Sequence, residues 1–150
     1  MKHIAITGYN SFIANNFYKK FKNKFKISKF KKDINNHSEF EKFINKNKVT
    51  HIIHFAGLSR YSCEKNKTNC LKTNYKSIEN IVFILNKLKK KPFFIFISTS
   101  HVYKHSNKKL KETSIKQPKS LYAKLKLKSE LFIKKNYHNT TILRLFNVYG

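Results

Sequence analysis

Residues 2–14, with the sequence K-H-I-A-I-T-G-Y-N-S-F-I-A, decide the fold. The stretch begins with a short apolar run that ends in Thr7-Gly8, a pattern that predicts a buried strand followed by a tight turn. From Ser11 the apolar residues recur every four positions, which predicts an amphipathic helix that packs on a sheet. A strand, a glycine turn and a helix make the first half of a βαβ unit, whose helix start presents free N–H groups to an anion.

The turn between this strand and this helix has the spacing of a dinucleotide-binding loop. Gly8, Ser11 and Ala14 occupy the positions that such a loop uses for a tight turn, for close approach to the pyrophosphate and for helix–strand packing. Gly8 and Ala14 fit these needs. Ser11 departs from the glycine usual at the second position, because its side chain would crowd the phosphates unless it turned away. The loop alone does not distinguish a dinucleotide site from an ordinary strand-to-helix turn.

Strands and helices alternate along the rest of the chain. Ser38 and Glu41 have the spacing of a capping box, which predicts the start of the second helix. Residues 58–72 are polar and predict a loop that enters a helix, and residues 104–117 predict a charged loop. Further strands are predicted at residues 25–30, 51–57, 93–97 and 140–146, and further helices at 74–89 and 120–135. This alternation predicts an α/β fold with a doubly wound parallel sheet, formed as one domain by residues 1–150.

The charge of the chain is extreme. Its 33 basic and 7 acidic residues give a formal net charge of +26, which ordinarily suggests nucleic acid. The lysines are nevertheless spread along the whole chain and accompany frequent Asn, Ile, Phe and Tyr, a bias that A- and T-rich codons produce. We therefore predict no specific nucleic-acid partner, and keep a basic nucleic-acid-binding module as the third hypothesis. The charge does favour anionic ligands.

The cysteines and the apolar runs indicate the cellular compartment in which the protein is expected. Cys63 and Cys70 lack C-x-x-C spacing, which favours free thiols in a reducing cytosol over a disulfide. There is no signal-peptide pattern and no apolar run of about 18 residues, so we expect a cytoplasmic protein without membrane contact. No metal site is expected, because His51 and His54 have no ligand partner at suitable spacing.

Residues 118–130, P-K-S-L-Y-A-K-L-K-L-K-S-E, contain the candidate chemistry. Tyr122 and Lys126 are four residues apart, so a helix places both side chains on one face. A phenol is a poor base at neutral pH, and an ammonium group one turn away favours the phenolate. In so lysine-rich a chain this pair also arises readily by chance. The hydroxyl cluster at 98–100 adds weight to it, because it ends a predicted central strand where α/β sheets place their active sites.

Six motifs in order resemble those of the extended short-chain dehydrogenase/reductases, the NAD-dependent epimerase/dehydratase group that acts on nucleotide sugars. The resemblance spans essentially the whole chain and implies a Rossmann fold. The motifs are T-G-x-x-x-F-I-A from residue 7, H-F-A-G at 54–57, E-x-N…N through Glu64, Asn66 and Asn74, I-S-T-S-x-V-Y at 97–103, P-x-S-x-Y-A-x-x-K-L-x-x-E at 118–130 and L-R-L-F-N-V-Y-G at 143–150.

The resemblance implies a role for each site residue. Tyr122 would be the catalytic acid/base, Lys126 would hold the nicotinamide ribose and lower the pKa of Tyr122, and Thr99 would hydrogen-bond the reacting sugar hydroxyl. Ser100, Phe146 and Asn147 would contact the nucleotide-sugar substrate. The implied cofactor is NAD or NADP, bound by Gly8, Asn10, Ser11, Phe12, Ile13, Asp33, Ile34, Phe55, Ala56 and Gly57 together with Tyr122 and Lys126.

The form of the cofactor stays open. Lys29, Lys31 and Lys32 follow the second predicted strand and favour NADP, because basic residues suit its 2′-phosphate. A solvated lysine run is the alternative. Asp33 would reach the adenine.

Departures from the family pattern narrow the expected reaction. Dehydratases of this family carry an Asp-Glu pair after the threonine, and here those positions are Ser100 and His101. An epimerase or reductase is therefore expected, with hydride transfer at a sugar carbinol or ketone and Tyr122 as acid/base. Lys104 replaces the usual glycine after V-Y.

The family's substrate domain is built mainly from residues after N-V-Y-G and is absent from this sequence. A noncatalytic dinucleotide-binding remnant or fragment is therefore the second hypothesis. The resemblance also implies a homodimer through the helices at 74–89 and 120–135.

Overall fold

A computed structural model describes residues 2–149 of the chain. The strands of this part are β1 (His3–Thr7), β2 (Lys26–Lys29), β3 (His51–His54), β4 (Phe93–Thr99) and β5 (Thr140–Leu145). Its α-helices are α1 (Phe12–Phe21), α2 (His37–Asn47), α3 (Arg60–Lys65), α4 (Lys67–Leu71), α5 (Ser77–Lys87) and α6 (Leu121–Asn136). A π-helical turn, Lys72–Lys76, joins α4 to α5, and a 3₁₀ turn, Ser100–Val102, follows β4.

All five strands are parallel and form one sheet in the order β2-β1-β3-β4-β5. The strand order therefore runs outward in both directions from the neighbours β1 and β3, which makes the sheet doubly wound, as predicted. At such a switch point the loops after the two strands separate and leave a crevice at the carboxyl ends. The fold thus places a binding site at the ends of β1, β3 and β4.

The two faces of the sheet carry different cores. On one face, Ala5, Ile52, Phe94 and Phe96 pack against apolar residues of α2, α5 and α6. On the other face, alternate strand residues such as Ile4, Ile6 and Ile53 form a cluster that includes Phe17 and Tyr18 of α1. This alternation of side chains is why the uninterrupted apolar runs of the sequence form strands that are buried on both faces.

The loop predicted at residues 58–72 is instead folded, and that prediction is wrong. It forms α3 and α4, which are capped by the side chains of Ser59 and Asn66. The predicted start of the second helix is also wrong, because α2 begins at His37 and its cap is Asn36, whose side chain accepts from the Glu39 N–H. Short caps of this kind are weak signals in a sequence so rich in Asn and Ser.

A buried ion pair ties α6 to the sheet. Glu130 is 1% exposed, and its carboxylate accepts hydrogen bonds from Arg144 Nη2 at 2.6 Å and from Ser98 Oγ at 2.5 Å. Arg144 Nη1 also donates to the Tyr103 hydroxyl at 2.8 Å and to the Glu112 carbonyl oxygen at 3.2 Å. The hydrogen bonds with Glu130 raise the pKa of Arg144. One carboxylate thus joins β4, β5, α6 and, through Arg144, the 103–112 segment.

The ion pair predicts a large stability loss when its cation is removed. Arg144→Leu leaves the Glu130 carboxylate buried and uncompensated, so the free energy of unfolding should fall by about 3–5 kcal/mol. Urea unfolding measures this loss. Arg60→Leu is the matched control, because the Arg60–Glu64 pair is more than half exposed and should change stability by less than about 1 kcal/mol. Equal effects of the two substitutions would contradict the assignment.

Candidate active site

The turn after β1 approaches the end of β3 closely. Gly8 has φ +64°, a conformation that side-chain-bearing residues rarely adopt, and a Cβ at this position would lie 2.5 Å from the Ala56 backbone nitrogen. The Thr7 hydroxyl, hydrogen-bonded to His54 Nδ1, accepts from the same Ala56 N–H at 3.3 Å. These contacts hold the turn after β1 against the loop after β3. Only glycine at position 8 permits this close approach of the two backbones.

Ser11 turns toward its own helix. Its hydroxyl caps α1 by accepting from the Ala14 N–H at 3.3 Å, and its backbone N–H donates to the Gly8 carbonyl oxygen at 2.9 Å. The Ser11 side chain is therefore turned away from the space that a pyrophosphate would occupy, which is the orientation that a dinucleotide-binding loop needs at this position. The helix start stays accessible, because Ser11 and Ile13 both line the adjoining cavity.

The candidate catalytic residues meet in one cavity of about 380 Å³ at the carboxyl ends of the strands. We call it the reaction cavity. Thr99 reaches it from the end of β4, and Tyr122 and Lys126 reach it from the first turns of α6. Its wall also contains Ser11, Ile13, Phe55, Gly57, Phe146 and Asn147. The structure thus brings together residues of five predicted motifs that lie far apart in the sequence.

Lys126 is a buried cation without a direct carboxylate partner in the described residues. It is 6% exposed, its Nζ donates to the Ile97 carbonyl oxygen at 2.9 Å, and the ammonium lies 4.7 Å from the centroid of the Phe96 ring. Burial lowers the pKa of Lys126 to about 8, against a smaller opposing effect of Glu130. The ammonium group is therefore held in place while most of its donor capacity is left for a ligand.

Tyr122 differs from the expectation. Burial raises its pKa, and hydrogen bonding with the Thr99 side chain acts in the opposite direction, whereas Lys126 is not among the causes of the shift. The predicted lowering of the Tyr122 pKa by Lys126 is therefore not found. Desolvation of the phenolate dominates instead, since charge is costly in a half-buried apolar site.

Other residues predicted to bind the cofactor do not line the reaction cavity. Asn10 and Phe12 are exposed near the start of α1, and Ala56 packs against the main core. Ile34 is buried in that core. Asp33 is exposed, and its carboxylate accepts from the backbone N–H and the side-chain amide of Asn35, both at 2.9 Å.

Of the residues predicted for substrate contact and for cofactor preference, some line the reaction cavity and others lie elsewhere. Ser100 lines a neighbouring cavity, whereas Phe146 lies between that cavity and the reaction cavity. The ammonium of Lys29 lies 3.2 Å from the centroid of the Tyr18 ring. Gly150, the last residue of the final motif, lies outside the described residues.

The prediction of free thiols is wrong. Cys63 and Cys70 form a disulfide that joins α3 to α4, with their Cα atoms 4.8 Å apart. The prediction rested on compartment and on motif spacing, and neither reveals that two short helices pack their cysteines together. Both cysteines are almost completely buried beneath the loop after β3.

Asn74 supports that loop. Its side chain accepts from the Leu58 N–H at 2.7 Å and donates to the Leu58 carbonyl oxygen at 3.0 Å, while it also contacts both cysteine sulfurs. A Cβ on the neighbouring Gly57 would lie 3.3 Å from Asn74 Oδ1 and 3.4 Å from Lys126 Nζ. Gly57 therefore leaves the ammonium of Lys126 uncovered on the cavity side.

Comparison with known proteins identifies the family. The sequence profile of the NAD dependent epimerase/dehydratase family matches residues 4–150. The chain belongs to this family. A comparison with curated proteins finds no match.

Solved structures share the fold. A dTDP-4-dehydrorhamnose reductase from Clostridium acetobutylicum is 27% identical with a TM-score of 0.88, over 100% of this chain and 55% of its own. The dTDP-4-dehydrorhamnose reductase from Bacillus anthracis, solved in complex with NADP, is 22% identical with a TM-score of 0.86, over 100% and 56%. UDP-glucose 4-epimerase from Thermotoga maritima, solved with UDP-glucose, is 22% identical with a TM-score of 0.85, over 99% and 56%. The chain thus spans about half the length of these structures.

Two kinds of feature are missing from the described residues. Within residues 2–149, no cluster of three or more His, Cys, Asp or Glu side chains is arranged to hold a metal ion. In the same part of the chain, no helix has both the length and the apolarity needed to span a membrane.

The burial of Lys126 predicts a pH-dependent stability. Its pKa of about 8 lies below the ordinary value of 10.5, so between these values the unfolded chain binds more protons than the folded protein. The cost of burying the charge is therefore full below about pH 8 and disappears as the pH rises toward about 10.5. Lys126→Met should raise the free energy of unfolding by about 3 kcal/mol at pH 7, and this gain should fall below about 1 kcal/mol near pH 10.

Urea unfolding of both proteins across this pH range measures the difference. Lys124→Met is the control, because Lys124 lies on the same helix and is exposed. A gain that does not change with pH, or one that Lys124→Met reproduces, would show that Lys126 carries no buried charge.

Proposed function

We propose that the chain is the dinucleotide-binding part of an NAD(P)-dependent epimerase or reductase that acts on nucleotide sugars. The observation that carries this proposal is the meeting of Thr99, Tyr122 and Lys126 in the reaction cavity beside the start of α1. A hydroxyl, a phenol and an ammonium group can together bind a sugar hydroxyl and transfer its proton. Membership in the family supports the same reading.

The residues around the reaction cavity fit a dinucleotide. The tight turn at Gly8 leaves the start of α1 open for phosphate, since Ser11 points toward the helix. Gly57 leaves space in front of Lys126, which would donate to a ribose hydroxyl. When bound, the nicotinamide supplies or accepts a hydride at the sugar carbon.

The chain's own residues would handle the proton. Thr99 would hydrogen-bond the reacting hydroxyl, and the Tyr122 oxygen would take its proton or return it. The half-buried phenol needs help to ionise, because burial raises its pKa. The Thr99 hydroxyl would supply part of that help, since its hydrogen bond with the Tyr122 side chain lowers the pKa of the phenol. Ser100 and His101 occupy the positions after Thr99, and neither is a carboxylic acid that could drive an elimination, which favours epimerisation or reduction over dehydration.

The second candidate is a noncatalytic dinucleotide-binding protein. The observation that favours it is that burial raises the pKa of Tyr122, which makes the phenol a poorer base. Cofactor binding without turnover of any nucleotide sugar supports this candidate. The third hypothesis, a nucleic-acid-binding module, would require a steep salt dependence of RNA or DNA affinity.

Tyr122→Phe tests the leading proposal. The substitution removes one hydroxyl, so turnover of the preferred nucleotide sugar should fall by about 10²–10⁴-fold, while NADH or NADPH affinity stays within about twofold. Fluorescence titration of the reduced cofactor and a turnover assay measure the two effects. Tyr61→Phe is the control, because Tyr61 is 65% exposed. Full turnover in Tyr122→Phe, or no cofactor binding by the folded protein, rejects the proposal.

We also propose a homodimer through α5 and α6. Phe83 on α5 and Leu131 on α6 are each 60% exposed, and Phe83 also lines a shallow groove between the two helices together with Val82 and Phe132. Exposed apolar side chains on two adjacent helices favour association with a second copy of the same surface.

Phe83→Glu with Leu131→Glu should convert this dimer into a monomer, because two desolvated carboxylates would face their symmetry mates. Sedimentation equilibrium measures the mass. Tyr61→Glu adds a charge at an exposed aromatic outside the two helices and should leave the dimer intact. A monomeric unmodified protein, or a dimer that survives the double substitution, contradicts this proposal.

A further inference from the structure

A second cavity, of about 400 Å³, opens beside the reaction cavity. We call it the basic cavity. Ser100, which directly follows Thr99, lines it, and Phe146 lines both cavities. A substrate that places a hydroxyl between Thr99 and Tyr122 can therefore extend past Phe146 into the basic cavity.

Cationic groups from three segments line the basic cavity. Arg60 begins α3, Lys104 follows the 3₁₀ turn after β4, and Lys119 precedes the cap of α6. His101 and His105 add two ring donors, and no acidic residue is part of the lining. Arg60 Nε donates to Glu64 Oε1 at 3.0 Å, which leaves the other guanidinium nitrogens without a partner in the described residues.

The segment that carries Lys104 is held in place. Its backbone N–H donates to the Ile115 carbonyl oxygen at 2.8 Å, and the neighbouring Tyr103 pairs with Lys116 in a β-bridge. The Tyr103 hydroxyl also accepts from Arg144, which is itself bound to the buried Glu130. The base of Lys104 is thus anchored to the sheet, so a charge at this position is presented to the cavity at a lower ordering cost.

The position of the basic cavity distinguishes it from other cavities of this chain that are also lined by cationic residues. A cavity at the amino end of β4 is lined by Lys48 and residues 89–91, but it lies at the opposite end of the sheet from the reacting groups. A cavity along β5 contains Lys111, Arg144 and also Glu112. The basic cavity combines cationic lining, absence of acids from that lining and direct contact with the reaction cavity.

We propose that the basic cavity binds an anionic group of the substrate, a phosphate or a carboxylate, through Arg60, Lys104 and Lys119. The inference rests on the proposed function, because it takes the substrate to react at Thr99 and Tyr122. Both anions present oxygen acceptors that guanidinium and ammonium groups bind by charge-assisted hydrogen bonds. The cavity thereby selects substrates that carry such a group beyond the reacting carbinol.

The test compares two triple variants that remove equal charge. One combines Arg60→Gln, Lys104→Gln and Lys119→Gln, and the control combines Lys89→Gln, Lys90→Gln and Lys91→Gln at the opposite end of the sheet. Isothermal titration with UDP-glucose and with UDP-glucuronate, at about 0.15 M salt to screen long-range effects, gives the two affinities. The basic-cavity variant should bind at least one of them about tenfold more weakly, and the control should stay within about twofold.

The pattern of losses identifies the anion. An equal loss for both nucleotide sugars assigns the basic cavity to the diphosphate, and a larger loss for UDP-glucuronate assigns it to the sugar carboxylate. Equal losses in the two triple variants, no loss in the basic-cavity variant, or no binding of either nucleotide sugar by the unmodified protein overturns the inference. Titration with NADH and NADPH tests the proposed function separately, because the three substituted residues do not line the reaction cavity.

Discussion

The buried carboxylate of Glu130 is the interaction on which the active-site end of the molecule depends. It receives Arg144 from β5 and Ser98 from β4, and it lies one helical turn beyond Lys126 on α6. A charge that is 1% exposed persists only where its partners are fixed, so this pair sets the position of α6 on the sheet. The helix that carries Tyr122 and Lys126 is therefore held by an ion pair which has no direct part in the chemistry.

A second constraint comes from backbone approach. Gly8 and Ala56 are so close that no side chain fits at position 8. The Asn74 side chain hydrogen-bonds both the N–H and the carbonyl oxygen of Leu58. Together these contacts bring the loops after β1 and β3 to the same cavity edge. The disulfide between Cys63 and Cys70 lies under this edge and stabilises the two short helices that follow β3. A rigid frame of this kind suits a site that must position a small number of polar groups.

Sequence patterns predicted the sheet well because its signal is local. A short apolar run that is bounded by a proline or a glycine, such as 93–97 after Pro92, predicts a strand without any knowledge of the strands beside it. The Tyr122–Lys126 spacing on one helix face could be read in the same way. The helices in 58–72, the cap of α2 and the disulfide could not be predicted from local patterns. Which polar residue caps a helix, and whether two cysteines pair, depends on how the elements pack.

The sequence by itself determined the order of strands and helices, the family and the residues that could carry the chemistry, since these follow from periodicity and motif spacing. Tertiary structure alone decided the environment of those residues. Burial, and not the nearby ammonium group, dominates the pKa of Tyr122, and Arg60, Lys104 and Lys119 become neighbours only when three loops meet. The physical reason is that desolvation and charge clustering depend on distances between residues far apart in the chain, which no local pattern records.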